Sequence, residues 1–207
     1  MASSVPGQIK QIEPDLAALA QGKGAKVFNR SLSVFNEGAK KGARMSEAPG
    51  DGVAYVEGIE FANGSIEIDI KGKDVLQQSF VGIAFHRKDD NAYEAVYLRP
   101  FNFRADDAAR HQHAVQYIQF PDYDWPRLRK EFPEEFENPV DKSIEPTGWV
   151  PVRVLVQAQR VQIFVGPDKT PTLDVRKLGD LTGGQVGLWA GNTSDGDFRN
   201  LRLTPAK

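Results

Sequence analysis

Along most of this chain, apolar and polar positions alternate with a period of two rather than recurring with a helical period. The alternation is clearest from Ser65 to Lys71, just after the turn signal Asn63-Gly64. Ile66, Ile68 and Ile70 point one way, and Ser65, Glu67, Asp69 and Lys71 point the other, as in a half-buried strand. Ser79 to His86 is mostly apolar and predicts a strand covered on both faces. Ala92 to Arg99 follows the turn-like Lys88-Asp89-Asp90-Asn91, and Ala114 to Phe120 is a further strand. Val150 to Val156 and Arg160 to Val165 predict a hairpin across Gln157-Ala158-Gln159. Thr172 to Val175, Gln185 to Ala190 and Phe198 to Leu203 complete the series. About ten short strands, with turn signals every 8–12 residues and no crossover helices, predict an all-β fold, a two-sheet antiparallel jelly-roll sandwich.

Two segments break the pattern. Residues 1–25 are poor in aromatics and read as an N-terminal arm, with a short helix starting near Pro14 and running through Asp15-Leu16-Ala17-Ala18-Leu19-Ala20. The jelly-roll domain is expected over residues 26–207. Within it, Pro100 to Gly148 is a long excursion holding six prolines and eight aromatic residues, Phe101, Phe103, Tyr117, Phe120, Tyr123, Trp125, Phe132 and Phe136. One strand and a helical turn near Leu128 to Phe132 fit inside it; the remainder reads as loop. Loops of that length in compact domains are usually functional or disordered, and the aromatic content argues against disorder.

Composition narrows the function classes. The 207 residues carry a formal net charge of −2, which offers no broad electrostatic footprint for nucleic acid. No apolar run approaches the roughly 20 residues of a membrane span. Without Cys, disulfides and thiolate metal sites are excluded. The opening Met-Ala-Ser-Ser-Val-Pro-Gly lacks the basic stretch and apolar core of a signal peptide. No phosphate loop, nucleophile elbow or dinucleotide fingerprint is present.

Five short stretches carry a family resemblance. They are Gly64-Ser65-Ile66-Glu67-Ile68-Asp69-Ile70, Phe80-Val81-Gly82-Ile83-Ala84-Phe85, Trp149-Val150-Pro151-Val152-Arg153-Val154, and Gly187-Leu188-Trp189-Ala190-Gly191 with Phe198-Arg199-Asn200-Leu201. In this order they resemble the concanavalin A-like lectin/glucanase superfamily, in particular its laminin-G-like and 3-keto-disaccharide-hydrolase-like branches, over about residues 50 to 204. The resemblance implies two curved antiparallel sheets, a ligand site on the concave face or its rim, a carbohydrate partner, and a secreted or periplasmic location. The superfamily includes lectins, glycosidases, lyases and adhesion modules, so the fold does not select among them.

Candidate chemistry falls in four places. Glu67 and Asp69 share a strand face, and the retaining laminarinase/lichenase family has a Glu-x-Asp-x-(x)-Glu strand. Here the strand continues Lys71-Gly72, so the second glutamate of a retaining pair is missing. The two carboxylates then read as the solvated face of an edge strand. The second place is His86-Arg87 with Tyr93 to Arg99. Tyr93, Tyr97 and Arg99 share one face and Glu94 lies on the other. Aromatic platforms with Arg and carboxylate groups are the usual furniture of a sugar site. Gln116 stands in Ala114-Val115-Gln116-Tyr117-Ile118-Gln119, a loose equivalent of a Tyr-Glu-Val-Gln-like strand in the 3-keto-disaccharide branch. Glu94 and His86 are the acid/base candidates if the domain cleaves glycosides; Arg87, Tyr93, Tyr97, Arg99 and Gln116 are binding candidates.

The third place is the excursion itself, with Arg104, Arg110, His111, His113, Tyr123, Asp124, Trp125, Arg127 and Arg129. Trp and Tyr could stack on a sugar ring, with Arg104, His113, Tyr123 and Trp125 as binding candidates; the other reading is a loop packed on its own aromatics. The fourth is Asn192-Thr193-Ser194-Asp195-Gly196-Asp197. Many superfamily relatives bind Ca2+, and Asn192, Asp195 and Asp197 are the oxygen ligands on offer, although a plain Asx/Gly turn before the last strand explains the stretch better. No cofactor is required by any of these readings; they admit Ca2+, and His111 and His113, two apart with His86 the one further His, make a weak case for another metal. The expected function is therefore a carbohydrate-binding domain with its glycan on the concave face beside the 100–148 excursion. Glycoside cleavage at the same site and a non-sugar adhesion or assembly role are the alternatives.

Overall fold

The computed structural model describes residues 11–38 and 40–206. It is a sandwich of two antiparallel sheets. The strands are β1 (Ala25–Phe28), β2 (Leu32–Glu37), β3 (Lys40–Met45), β4 (Gly52–Val56), β5 (Gly64–Lys71), β6 (Val81–Asp89), β7 (Ala92–Leu98), β8 (Val115–Phe120), β9 (Glu137–Asn138), β10 (Val150–Gln157), β11 (Arg160–Val165), β12 (Leu173–Arg176), β13 (Gln185–Ala190) and β14 (Gly196–Pro205). The helices are α1 (Leu16–Leu19), α2 (Ala108–Gln112) and α3 (Trp125–Glu131). One seven-stranded sheet has the order β1-β4-β13-β6-β7-β8-β9 and the other β12-β11-β10-β5-β14-β3-β2. The all-β two-sheet architecture read from the alternation is thus the architecture of the molecule.

The period-two signal of β5 converts directly into packing. Ile66, Ile68 and Ile70 are buried while Ser65, Glu67, Asp69 and Lys71 are partly exposed. Each isoleucine taken out of water contributes on the order of 2 kcal/mol. β5 is not an edge strand, however. It sits between β10 and β14 in the middle of its sheet. Arg153 is its register partner at Glu67, and Arg199 and Asn200 both donate to the Asp69 carboxylate. The edge reading failed because a strand solvated on one face looks the same whether or not both its edges are paired.

The other sheet is covered on both sides, as the apolar run of β6 predicted. The side chain of Val81 reaches to the position a Cβ would take on Gly196 of the opposing sheet. Val81, Ile83 and Phe85 therefore face the sandwich interior, and with them, by register, Leu98, Val96 and Glu94 of β7. Gly82 and Ala84 face outward, together with Tyr97 and Ala95. The outward side is roofed by the excursion, which holds a 3-10 turn (Pro100–Asn102), α2, β8, α3 and β9. Phe101, Phe103, Tyr117 and Phe136 of the excursion are buried, and among its aromatics Trp125 alone stands largely exposed.

The first ten residues lie outside the described residues. Beyond them the N-terminal stretch is docked: Ile12 bridges Leu203 of β14, and Leu16 and Leu19 are buried in the common core. Asp15 caps α1, accepting from the Ala17 and Ala18 amides. No helix among the described residues is long and apolar enough to cross a membrane.

Candidate functional site

The register of the outward face arranges side chains in rows across the sheet. One row runs Val53, Trp189, Gly82, Tyr97, Gln116 along β4, β13, β6, β7 and β8. One step along, Gly52, Ala190, Val81 and Leu98 pair in register, and the residues just beyond them, Asp51, Gly191, Phe80 and Arg99, continue the outward face. Because Gly82 has no side chain, Tyr97 and Trp189 can lean together over it, with ring centroids 4.7 Å apart. They form the floor of a groove of about 540 Å3. One wall is Trp125, Arg129 and Asp124 of α3 with Phe120, and the other is Leu76, Gln77 and Phe80 from the β5–β6 connection. Trp125 and Leu76 are 48% and 54% exposed, so both lips of the groove are apolar and wet.

The two ends of the groove differ in charge. At one end stand Arg99, Asn102, Arg110 and His113, with Arg129 of the α3 wall close by. Arg99 donates to the Tyr97 hydroxyl at 2.7 Å, to Gln116 Oε1, and to the His113 carbonyl at 3.0 Å. Arg110 donates to the Phe101 carbonyl at 3.0 Å and to Asn102 Oδ1 at 3.4 Å. Behind this end lies Glu137 of β9, 2% exposed, which accepts from Arg129 through both its oxygens. The same carboxylate is 3.6 Å from Arg99 and 2.8 Å from His113 Nδ1. Burial, and then the neighbouring guanidinium charges, hold His113 below the ordinary imidazole range against the opposing pull of Glu137. Burial also pushes the Tyr97 hydroxyl up to about 12.

At the other end are Asp51, Gly191 and Asn192. Asn192 accepts from the Gly50 amide at 2.9 Å, and Arg30 donates to the carbonyls of Gly50, Ala190 and Gly191. Arg30 thus spends its donors on backbone, and among the described residues no cation lies within 4 Å of the Asp51 carboxylate. Burial lifts that carboxyl to about 6, with Arg30 pulling the other way.

The structure brings Tyr97, Arg99, His113 and Trp125 into this one groove. Gln116 lies directly beneath it, tied to Tyr97 and Arg99. Tyr93 supports the floor, accepting from Trp189 Nε1 at 3.3 Å. Three other binding candidates stand elsewhere. Arg87 follows the irregularity at His86, whose φ is 52°, and stacks over Tyr55 while pairing with Asp90 at 2.6 Å. Arg104 pairs with Glu145 at 2.9 Å, and Tyr123 lies under Arg127. Glu94 and His86 face the sandwich interior, at 0% and 1% exposure. His86 Nδ1 is 2.7 Å from Glu94 and its Nε2 is 2.6 Å from the Ala62 carbonyl. Tyr117 donates to Glu94 at 2.6 Å, and Lys177 lies 3.3 Å away. Neither Glu94 nor His86 lines the groove.

The Ca2+ candidates do not converge. Asp197 is gripped by Nε and Nη2 of Arg44, Asp195 pairs with Lys73 at 2.6 Å, and Asn192 is turned to the Gly50 amide. Among the described residues there is no group of three or more His, Cys, Asp or Glu side chains suited to a metal. Reading the sequence alone missed Asp51, Asn102, Trp189 and the Leu76 lip as groove residues. Trp189 carried a signal, since it lies in the Gly187 to Gly191 stretch that carries the family resemblance.

No protein-family model matches the sequence, and no curated protein matches it. Solved structures do. The chain superposes on the carbohydrate binding module CBM66 from Bacillus subtilis with a TM-score of 0.63 at 16% identity, covering 87% of this chain and 95% of that one. A Bacillus subtilis protein of unknown function with a galectin-like fold gives 0.59 at 11% identity, over 94% and 98%. The VIP36 exoplasmic/lumenal domain in its Ca2+/Man3GlcNAc-bound form gives 0.54 at 11%, over 88% and 86%. The two-sheet antiparallel sandwich is accordingly a fold shared with these structures.

Proposed function

We propose that this domain binds a carbohydrate in the groove between α3 and the β5–β6 connection, on the outward face beside the excursion. The observation that carries the reading is the exposed Trp125 standing over a Tyr97–Trp189 floor, with Arg and Asn groups at one end and Asp and Asn groups at the other. An aromatic face covers the apolar C–H surface of a pyranose, while planar polar groups take its hydroxyls. The likeness to CBM66, a carbohydrate binding module, and to a VIP36 domain holding Man3GlcNAc supports the same reading. With it goes a secreted or periplasmic location, which cell fractionation tests. The groove's donors and acceptors are protein groups, so chelation with EDTA is expected to leave binding unchanged.

The test is a glycan array followed by calorimetry on the best ligand. Trp125→Ala is expected to weaken binding at least tenfold with an unchanged melting temperature, because its ring is half exposed and supports no core. A full array without a ligand, or a Trp125→Ala protein that binds as tightly as the parent, defeats the reading. A second reading, glycoside cleavage, is favoured by one observation. Asp51 lines the groove with its carboxyl raised to about 6, where it can donate a proton near neutral pH. Product formation that vanishes in Asp51→Asn with binding retained would select it.

A further inference from the structure

We propose that the groove's glycan is acidic, and that the carboxylate of a uronate ring is received at the Arg99–Arg110–His113 end. This deepens the carbohydrate reading and rests on it. The argument is a count of charges in one corner. Arg99, Arg110 and Arg129 converge there with His113, and a single buried carboxylate, Glu137, stands behind them. Glu137 is already engaged by both forks of Arg129. Arg99 is 3.6 Å from it, and its donors go to neutral acceptors, Tyr97, Gln116 and the His113 carbonyl.

The Arg110 amide donates to the Asp107 cap at 2.7 Å, but its guanidinium forms no ion pair among the described residues, and that group's partners are a backbone carbonyl and the Asn102 amide. The corner therefore carries more guanidinium than carboxylate, with Arg99 buried and Arg110 exposed at the groove's mouth, where a ligand can reach it. A planar ligand carboxylate matches the guanidinium fork and removes that imbalance.

The remaining acidic groups of the groove do not serve this end. Asp124 is the cap of α3, accepting from the Arg127 amide at 3.0 Å. Asp51 lies in the same row as Arg99 but across β13 and β6, about 14 Å away at ordinary strand spacing. The groove is thus apolar along its middle, cationic at one end and anionic at the other. A uronate at the cationic end with neutral hydroxyls toward Asp51 satisfies both. Since the whole chain has a formal charge of −2, the attraction is a property of this corner and not of the protein at large.

The experiment is calorimetry of the full chain with oligogalacturonate, oligoalginate and glucuronate-containing oligosaccharides, each against its methyl-esterified form and a neutral oligosaccharide panel. At least one free acid is expected to bind ten or more times tighter than its ester, with the difference shrinking at high salt. Arg110→Gln is expected to bring the acid down to the level of the ester, with an unchanged melting temperature. Arg110→Lys is expected to recover only part of the loss. Equal affinity for acid and ester, or an Arg110→Gln protein that still prefers the acid, overturns the proposal. Binding confined to neutral glycans overturns it while leaving the carbohydrate reading standing; binding of no glycan at all removes both. Binding of sulfated oligosaccharides in preference to uronates replaces the carboxylate with another anion and also overturns it.

Discussion

Glu94 meets three polar groups in a space closed to solvent: His86, the Tyr117 hydroxyl and the Lys177 ammonium. One ring nitrogen of His86 faces Glu94 and the other the Ala62 carbonyl. Burial, followed by the Glu94 charge, pushes the Tyr117 hydroxyl well up, so it stays a donor. Removing the carboxylate leaves Lys177, itself 5% exposed, without a counter-charge. Glu94→Gln should therefore cost about 3 kcal/mol in urea denaturation, by analogy with other broken buried pairs, and should change glycan affinity less than twofold. A stable Glu94→Gln protein that had lost turnover would restore the pair to chemistry. Strand parity made Tyr97 and Arg99 readable as neighbours, but it could not tell which face of the sheet was roofed. His86 and Glu94 had the residue types of an acid/base pair, yet only the strand packing shows them turned inward. Asp51 was hidden for a different reason. It stands in Pro49-Gly50-Asp51-Gly52, which reads as a turn, and it joins the Arg99 row only through pairings of strands distant in sequence.

At the scale of elements, the late strands were legible because each carries its own alternation and is bounded by Gly, Pro or Asn. β13 and β11 begin and end where the pattern places them. β1 to β4 were not, since their polar and small residues, as in Lys40–Met45, leave the period-two signal weak. The two-residue β9 carries no period at all, although it delivers Glu137 to the cationic corner. The close approach of β6 to β7 is another hidden device. A Cβ on Gly82 would collide with the Val96 carbonyl and stand 2.6 Å from Tyr97 Cα, so any side chain there must separate the two strands. Gly82→Ala is expected to destabilise the fold by roughly 2 kcal/mol, as overpacking does. It should also displace Tyr97 from Trp189, so glycan affinity falls along with stability. Paired denaturation and calorimetry measurements check this, and a variant that loses stability while keeping full affinity would show that the floor does not depend on the strand spacing.

For the molecule as a whole, Asp51 sets one part of the pH dependence and the surface carboxylates set another. Burial raises Asp51 from 3.8 to about 6. The folded protein therefore holds this proton more tightly than the unfolded chain. Its contribution is full below about pH 4 and is lost as the pH rises through about 6. Other carboxylates run in the opposite sense. The Trp149 hydrogen bond lowers Glu37, the Arg87 hydrogen bond lowers Asp90, and the Arg160 hydrogen bond lowers Asp174. Their contributions are present at neutral pH and fade in acid, so the parent protein alone shows only the sum. Asp51→Asn isolates the first term, because Asn is neutral throughout while the surface groups are untouched. Between pH 4 and pH 7.5 the variant should gain about 2 kcal/mol on the parent, somewhat less than a full two-unit shift because part of the carboxyl faces the groove. Urea denaturation at intervals across that range measures the difference. Parallel curves for the two proteins would mean that Asp51 is solvated in the groove. A difference growing with pH, and abolished by saturating glycan that neutralises or hydrogen-bonds the carboxylate, would place the ligand's far end against Asp51.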